Sequence, residues 1–157
     1  MWDGKEFKHS IKYWNMNKEE LLEAYLQTEY IITALEITIR IGETNSRLDA
    51  LLEKEHSTYW AFVTAENPKS MSLSDAENLQ RTNEFKELLD KLGKTYFEGY
   101  GQGASDWKPE QSFLILNTTK QEAIEQFGIP YQQNAIVIGM KAKEAELCIL
   151  EEVFYES

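Results

Sequence analysis

The chain has little of what metal-binding and nucleophile motifs require. It contains two histidines, one cysteine and three prolines among 157 residues. His9 and His56 are far apart and neither belongs to an HExxH motif, so the sequence predicts no zinc site. Cys148 lies in the apolar segment AELCIL, which indicates a core residue rather than a disulfide or a catalytic thiol. We therefore predict neither a metal nor a cofactor.

Long hydrophobic runs and an excess of positive charge are also missing. No apolar segment approaches the ~20 residues of a membrane-spanning helix. The segment MWDGKEFKHSIKYW carries charges where a signal peptide has an apolar core. The formal net charge is −11, which disfavours direct binding to nucleic acid or to an anionic membrane. These absences predict a cytoplasmic protein, either of a bacterium or, if the protein is viral, of the host cell.

What is present suits one compact domain. Hydrophobic residues make up 42% of the chain and aromatic residues 12%, which is enough for a single core at this length. Residues 1–16 are aromatic and of mixed charge without helical or strand periodicity. We interpret them as an aromatic arm that anchors onto the domain or meets a protein partner. Residues 17–157 are predicted to form a single domain, whose oligomeric state the sequence does not indicate.

Hydrophobic periodicity predicts helices interspersed with strands. Asn17 and Glu20 match a capping box at the start of a first helix, and Gly93 is expected to end a long third helix that Ser72 or Ser74 starts. Residues 30–41 alternate in character and are predicted to form one long half-buried strand. Further strands are predicted at TYWAFVTA, KTYFEGY, SFLILN, NAIVIGM and AELCIL. The predicted fold class is α+β, a single mixed or mostly antiparallel sheet of about five to six strands with three to four helices.

Polar residues gather where the predicted strands end, which is where a rigid sheet presents side chains to a ligand. The first cluster follows the strand TYWAFVTA and contains Thr64, Asn67 and Lys69. Hydroxyl, amide and ammonium groups there can bind a polar ligand, although the same residue types also form turns that cap a following helix. Because Pro68 comes next, Asn67 is expected to leave the right-handed helical region.

The second cluster lies on the long third helix, where Asn78 and Arg81 share a face. The guanidinium of Arg81 can bind a carboxylate or a phosphate. A solvent-exposed face, or an internal salt bridge to Glu77 or Glu84, is the alternative interpretation.

The third cluster lies in and around the glycine-rich connection between the third and fourth predicted strands, KTYFEGY and SFLILN. Its glycines do not form a phosphate-binding loop, because no GKS or GKT sequence follows them. Tyr100, Trp107 and Ser112 are candidate ligand-binding residues, and Trp107 is large enough to stack on a planar ligand. Glu110 directly precedes a hydrophobic strand and is a candidate general acid or base with a raised pKa. A purely structural carboxylate is the alternative.

The fourth cluster consists of Gln133 and Asn134, just before the penultimate strand. Two adjacent amides at this place can bind the polar edge of a ligand, or they can close the loop with internal hydrogen bonds. The sequence leaves both interpretations open. No GxSxG motif appears, so nucleophilic acyl transfer is not predicted.

Several segments occur together in an order that resembles a known family. They are AYLQTEY, WAFVTAENPKS, SDAEN, GYGQG, WKPEQSF and QNAI. In this order they are similar to the signature of the DUF3293 family, small bacterial domains of unknown function. The resemblance covers about residues 20–150 and implies a shared fold and a shared pocket, but no activity. Such sequences often have an aromatic residue before the Asn-Pro pair, whereas this chain has Glu66, which adds to the acidity of the predicted site.

We therefore predict a module that binds a small polar ligand in a strand-end cleft, and a nucleotide-derived molecule is one candidate. The first alternative is an enzyme, a hydrolase or transferase, in which Glu110 transfers a proton and Arg81 stabilises developing negative charge. The second alternative is an acidic viral inhibitor that blocks a host protein. The ligand-binding and enzyme hypotheses require one pocket to collect Thr64, Asn67, Asn78, Arg81, Trp107, Glu110 and Asn134.

Overall fold

A computed structural model describes residues 18–103 and 108–150 of the chain. The predicted aromatic arm, residues 1–16, and the predicted ligand-binding residue Trp107 lie outside the described residues. Within the described ranges the chain forms helices packed on a single sheet, so the predicted α+β class is confirmed. None of the helices in these ranges is long and apolar enough to cross a membrane.

The elements follow one another along the chain with short connections. A 3₁₀ turn at Thr33–Leu35 separates the first two strands, a second 3₁₀ turn lies at Pro68–Ser70, and a π-helical segment, Ala123–Gly128, continues the last helix. In chain order the helices and strands are α1 (Lys18–Leu26), β1 (Glu29–Ile32), β2 (Ile37–Ile39), α2 (Ser46–Lys54), β3 (Tyr59–Thr64), α3 (Asp75–Lys91), β4 (Tyr96–Gln102), β5 (Glu110–Leu116), α4 (Lys120–Glu122), β6 (Ala135–Met140) and β7 (Glu146–Ile149).

Local sequence explains where α2 and α3 begin and where α3 ends. Ser74 starts α3 with a capping box, in which its Oγ accepts a hydrogen bond from the Glu77 backbone N–H at 3.1 Å. The side chain of Asn45 caps α2 by accepting a hydrogen bond from the Leu48 N–H at 2.9 Å. Gly93 follows α3 with φ 69°, a conformation that glycine adopts without steric cost. The predicted boundaries of α3 are therefore confirmed.

The sheet is antiparallel throughout and curls into a half-barrel. Its strand order is β2-β1-β4-β5-β3-β6-β7. The two edges approach each other at one end, where Ile41 and Ala145 form an isolated parallel bridge and the Gly42 N–H donates to the Ala145 carbonyl at 2.8 Å. The curl gives the sheet a concave face and a convex face.

The prediction of one long strand over residues 30–41 is wrong. This segment forms the hairpin of β1 and β2, in which Tyr30 pairs with Ile39 and Ile32 with Ile37. The chain reverses because Glu36 adopts a left-handed conformation, φ 53°, and its N–H donates to the Thr33 carbonyl. The split strand gives the described sheet seven strands rather than the predicted five to six.

Two hydrophobic clusters cover the two faces of the sheet. The concave cluster combines Trp60 and Leu116 of the central strands with Leu52 of α2. The convex cluster places Phe113 of β5 beneath Phe85 of α3, with ring centroids 5.5 Å apart. Strand β3 is buried on both sides and lies between β5 and β6, which confirms the prediction that the segment TYWAFVTA is an interior strand.

The concave face changes character along β3 and β5. In β3 the residues facing this side run from Trp60 through Phe62 to Thr64, and in β5 they run from Leu114 to Ser112. Thr64 and Ser112 are directly paired across the two strands. The concave face is therefore apolar at one end and polar at the other.

Candidate functional site

A cavity of about 100 Å³ opens at the polar end of the concave face. Leu21, Ala24 and Tyr25 of α1 form one wall, and the strands β3, β4 and β5 form the opposite wall. Space of this size holds several water molecules. It suits the head group or the whole of a small molecule.

Five of the predicted site residues line this cavity. They come from β3, from the loop after it, from β5 and from the loop before β6, segments that are distant along the chain. The fold thus brings these separate polar segments together. The five residues are Thr64, Asn67, Glu110, Ser112 and Gln133.

Asn67 is the best-fixed polar side chain of the cavity. Its backbone lies in the left-handed region, φ 48° and ψ 66°, so the expected departure from the right-handed region is confirmed; asparagine tolerates this conformation better than most residues. Its Nδ2 donates to the Glu110 Oε2 at 2.8 Å. Its Oδ1 accepts from the Leu73 N–H at 3.0 Å and from the Asn78 Nδ2 at 2.9 Å. Both ends of the amide are therefore held.

Two other predicted residues support the cavity from behind without lining it. Besides its Nδ2 bond, Asn78 accepts a hydrogen bond from the Asn67 backbone N–H at 3.0 Å and is itself buried. Asn134 donates from its Nδ2 to the Ser70 Oγ at 2.8 Å, and Ser70 is a lining residue. Asn78 and Asn134 thus position residues that face the cavity.

Arg81 lies apart from the cavity lining. Its Nε donates to the Ala65 carbonyl and a terminal nitrogen donates to the Tyr131 carbonyl, both at 2.6 Å. These bonds tie α3 to the end of β3 and to the loop before β6. The geometry therefore gives Arg81 a structural role, in place of the ligand clamp or salt bridge considered from the sequence.

Tyr100 and Lys69 also lie outside the lining. Side chains alternate between faces along a strand, and the neighbour of Tyr100, Gly101, lines the cavity, so Tyr100 lies on the convex side of β4. Lys69 is exposed in the turn after β3, where its backbone N–H donates to the Gln132 carbonyl at 2.6 Å.

Glu110 has a raised pKa, as expected from its position before a hydrophobic strand. Burial is the largest cause and raises the pKa of its carboxyl to about 7. The hydrogen bond from Asn67 lowers the pKa, and the neighbouring negative charge of Glu66 raises it. The carboxyl is therefore divided between its protonated and ionised forms near neutral pH.

Glu66 adds a second carboxylate beside Glu110. Burial raises its pKa, while a hydrogen bond from the Gln111 backbone N–H, at 2.9 Å, and the charge of Lys108 lower it. Its negative charge lies close enough to Glu110 to raise the pKa of that carboxyl.

The sequence interpretation missed the contribution of α1. Tyr25 and Thr28 line the cavity, and burial raises the pKa of the Tyr25 hydroxyl to about 12 while a hydrogen bond with Ser70 lowers it. Tyr25 belongs to the apolar stripe of α1, which made it look like an ordinary core residue. Its place within the family-like segment AYLQTEY was the available signal.

The described residues contain no group of three or more His, Cys, Asp or Glu side chains that could hold a metal ion. Cys148 is buried on the convex side of the sheet, away from the cavity.

Comparison with known proteins agrees with the resemblance seen in the sequence. The model of a family described as "Protein of unknown function (DUF3293)" matches residues 63–136. This stretch contains all five predicted residues that line the cavity. No curated protein and no solved structure matches the chain. This match supports the assignment to the DUF3293 family that the sequence suggested.

Proposed function

We propose that the protein binds a small polar molecule in the cavity at the polar end of the concave face. The observation that carries this proposal is the convergence of Thr64, Asn67, Glu110, Ser112 and Gln133 on one cavity. Ligand sites combine a largely apolar wall with a few polar groups that fix orientation. The cavity has this composition, because apolar residues of α1, β3 and β6 complete its lining.

The loop after β3 supports the proposal because its backbone is unusual. Asn67, Lys69 and Ser70 all have positive φ angles, 48°, 53° and 60°. Such conformations cost free energy and persist where the surrounding contacts impose them, often at binding sites. Here the bonds from the Lys69 N–H to Gln132 and from Asn134 to Ser70 hold the loop. The loop therefore presents Asn67 and Ser70 to the cavity in fixed positions.

The charges of the lining do not favour a phosphate-bearing ligand. Among the lining residues that the structure describes, Lys108 alone carries a positive charge, and its Nζ forms an ion pair with Asp75 at 2.5 Å. Phosphate sites in proteins use arginine forks, lysines or helix N-termini. We therefore do not extend the proposal to nucleotides.

Native mass spectrometry of the protein purified from cells tests the binding proposal. We expect part of the protein to carry a non-covalent small molecule that is released unchanged on denaturation. The matched variant is Gly101→Leu, which places a side chain into the cavity from β4, since a Cβ at this position meets its nearest neighbour, Thr28, at 3.5 Å. The bound mass should be lost from this variant.

Folding of the variant is the control for that experiment. Circular dichroism and the thermal midpoint should show that Gly101→Leu is folded, and Gly101→Ala provides a smaller reduction of the cavity if it is not. A ligand that is retained at the same occupancy by folded Gly101→Leu would contradict the proposed site.

The pKa of Glu110 favours a second candidate function, that of an enzyme. A general acid or base works best when its pKa lies near the working pH, and burial raises the pKa of Glu110 to about 7. Asn67 holds the carboxyl in place through its 2.8 Å hydrogen bond. In this second proposal Glu110 moves a proton to or from a small substrate of the hydrolase or transferase type.

Incubation with a small-molecule extract of cells tests the enzyme proposal. Mass spectrometry should show one compound consumed and another formed by the native protein, and neither change with Glu110→Gln. Glu87→Gln is the matched control, because Glu87 is an exposed glutamate of α3 and its loss changes the net charge equally. Equal turnover by the native protein and Glu110→Gln would contradict the role of Glu110.

A further inference from the structure

Several hydroxyl groups of the cavity wall donate their hydrogens to backbone carbonyls. Thr64 Oγ1 donates to the Gln111 carbonyl at 2.7 Å, and Ser112 Oγ donates to the Glu110 carbonyl at 3.0 Å. A hydroxyl has one hydrogen to donate and two lone pairs that accept. Thr64 Oγ1 also accepts from the Glu66 backbone N–H at 3.1 Å. One lone pair of Thr64 and the lone pairs of Ser112 therefore remain for a molecule in the cavity, and neither hydroxyl offers a donor.

Two residues that follow α1 repeat this arrangement. Thr28 Oγ1 donates to the Ala24 carbonyl at 2.7 Å, and the Tyr30 hydroxyl donates to the Tyr25 carbonyl at 3.2 Å. Both residues line the cavity. Four hydroxyl groups from three parts of the chain thus turn their hydrogens to the backbone.

Gln133 and Glu110 add further acceptors. The Nε2 of Gln133 donates to the carbonyls of Glu66 and Tyr131, at 3.0 and 3.1 Å, which uses both amide hydrogens and leaves its Oε1. Among the described residues, Asn67 is the one donor to the Glu110 carboxylate, and it binds Oε2. The Oε1 of Glu110 is therefore available to accept a hydrogen bond.

The charge around the cavity points in the same direction as its hydrogen bonds. Glu66 lies close enough to Glu110 to raise its pKa, and the whole chain carries a net charge of −11. A cleft lined by one sign of charge concentrates ligands of the opposite sign. Lys108, the one cationic lining residue among those described, forms an exposed ion pair with Asp75.

The rest of the lining is apolar. Leu21 of α1, Phe62 of β3 and Val137 of β6 line the cavity below the polar groups. Phe62 is held by an edge-to-face contact with Tyr30, with ring centroids 5.3 Å apart. This surface suits a small hydrocarbon or aromatic body.

We propose that the natural ligand is a small organic cation, whose ammonium, amidinium or guanidinium group donates hydrogen bonds to Glu110 and the surrounding oxygens while its apolar body contacts Phe62. This inference rests on the proposed binding function, because it names the chemical class of the ligand for the same cavity. An ammonium or amidinium group supplies several donors and no acceptor. It therefore complements the acceptor oxygens of Thr64, Ser112, Gln133 and Glu110.

A matched series of three probes tests this inference: benzamidine, benzamide and benzoate have nearly the same shape but carry a positive, no and a negative charge. Binding is followed at about pH 8 by changes in the ¹H–¹⁵N NMR spectrum of the full chain. A charge-assisted hydrogen bond to a carboxylate contributes more than a neutral one. We expect benzamidine to bind about tenfold or more tightly than benzamide, and benzoate to bind most weakly.

Two variants show whether Glu110 is the group responsible. Glu110→Gln keeps the shape and the acceptor for Asn67 but removes the charge, and it should weaken benzamidine binding by about tenfold. Glu87→Gln should leave the affinity unchanged. If Glu110→Gln does not fold, Glu110→Asp keeps the charge but withdraws it by one methylene, and it should still weaken binding.

The pH dependence provides an independent readout. Glu66, Tyr25, Tyr30 and Lys108 are the titratable groups around Glu110, and burial raises the pKa of both tyrosines away from neutrality. A bound cation favours the ionised form of Glu110. Benzamidine binding should therefore tighten as the pH rises from about 6 to about 8, and this change should be smaller in Glu110→Gln.

The possible failures separate this inference from the proposed function. If benzamide or benzoate binds more tightly than benzamidine, and Gly101→Leu abolishes that binding, the cavity binds ligands but the cation inference is wrong. Equal benzamidine affinity in the native protein and Glu110→Gln also overturns it. If none of the probes binds at millimolar concentration, the cation inference fails; if no co-purified molecule is found either, the binding function fails with it.

Discussion

The two ends of the concave face differ although the same strands build them. At the apolar end, Trp60 and Leu114 are at most 1% exposed and pack with α2. At the polar end, Thr64 and Ser112 continue the same two rows beneath α1. The backbone pairing runs unbroken from one end to the other. The side-chain pattern alone therefore decides where the core stops and the cavity begins.

This difference teaches how the fold holds polar groups in its interior. At the polar end, the side chains of Thr64, Asn67, Ser112 and Gln133 are hydrogen-bonded to the backbone or to a neighbouring side chain, as buried polar groups usually are. Glu110 is less fully bonded than these residues. One of its carboxyl oxygens has no described donor, and burial raises the pKa of the carboxyl to about 7. Burial of the Glu110 carboxyl thus costs stability, and substitutions at the two ends should differ in their effects on stability and on ligand binding.

The largest contrast is expected between Leu114→Ala and Ser112→Ala. Leu114 and Ser112 are two positions apart in β5, so their side chains face the same side of the sheet. Leu114 is fully buried in the concave cluster. Leu114→Ala should lower the free energy of unfolding by about 2–5 kcal/mol, because it leaves a cavity. Ser112→Ala loses one hydrogen bond and should cost about 0.5–1.5 kcal/mol.

Urea unfolding followed by fluorescence measures this pair. Ser112→Ala should nevertheless weaken ligand binding, whereas Leu114→Ala should not alter the affinity of the folded fraction. Similar unfolding free energies for the two variants would show that the two ends of the face do not differ as described.

Gly99→Ala and Gly101→Ala locate the boundary between the two ends. A Cβ at Gly99 would lie 2.5 Å from the Ile31 carbonyl oxygen, a backbone atom, whereas a Cβ at Gly101 would meet nothing closer than 3.5 Å. Gly99→Ala should therefore destabilise the protein by about 1–3 kcal/mol. Gly101→Ala should change the unfolding free energy by less than about 0.5 kcal/mol, since space exists for the methyl group. Thermal unfolding of both variants compares them, and an equal loss would contradict the close approach at Gly99.

Glu110 should make the stability depend on pH in a defined direction. Its pKa is about 7 in the folded protein, above the ordinary value of 4.5, so the folded state holds the proton more strongly than the unfolded state. Stability should therefore fall as the pH rises from about 4.5 to about 7 and then level off. At about pH 8, Glu110→Gln should be more stable than the native protein by about 1–2 kcal/mol.

Urea unfolding at several pH values measures this difference, with Glu87→Gln as the charge-matched control. The gap between the native protein and Glu110→Gln should close below about pH 4.5. If the difference in unfolding free energy does not depend on pH, or if Glu110→Gln is less stable than the native protein at high pH, burial does not destabilise the ionised carboxyl of Glu110.

Asn67→Gly should produce the smallest of these effects, a further rise in the pKa of Glu110. Glycine keeps the left-handed backbone of this position while it removes the amide that donates to the Glu110 carboxylate. Because that hydrogen bond lowers the pKa, its loss should move the titration of Glu110 above about 7. A ¹³C NMR titration of the glutamate carboxyl groups measures the shift. An unchanged or lower pKa would contradict the role assigned to Asn67.

The features that the sequence predicted well are local. The capping box of Ser74, the stop at Gly93 and the buried strand β3 each depend on residues within a few positions of one another. The departure of Asn67 from the right-handed region follows likewise from the proline after it. Local chemistry fixes these features whatever the rest of the fold does.

The features that could not be predicted from the sequence depend on contacts between distant segments, or on turns that lack the usual turn-forming residues. The β1–β2 turn uses Glu36 at φ 53°, where glycine or asparagine would have revealed it. Arg81 meets the carbonyls of Ala65 and Tyr131 only because the fold places them beside α3. Tyr25 looked like a core residue, and its place in the cavity follows from how α1 sits over the sheet.

The most direct measurement is an NMR map of where small molecules bind. The ¹H–¹⁵N spectrum of the full chain is recorded with a fragment library that contains cationic, neutral and anionic compounds. Compounds that bind should shift the amide signals of Thr64, Gly101 and Ser112 and leave those of Trp60 and Leu116 in place, with cations prominent among them. Binding that maps to the convex face, or to the apolar end alone, would contradict the assignment of the polar end as a ligand site.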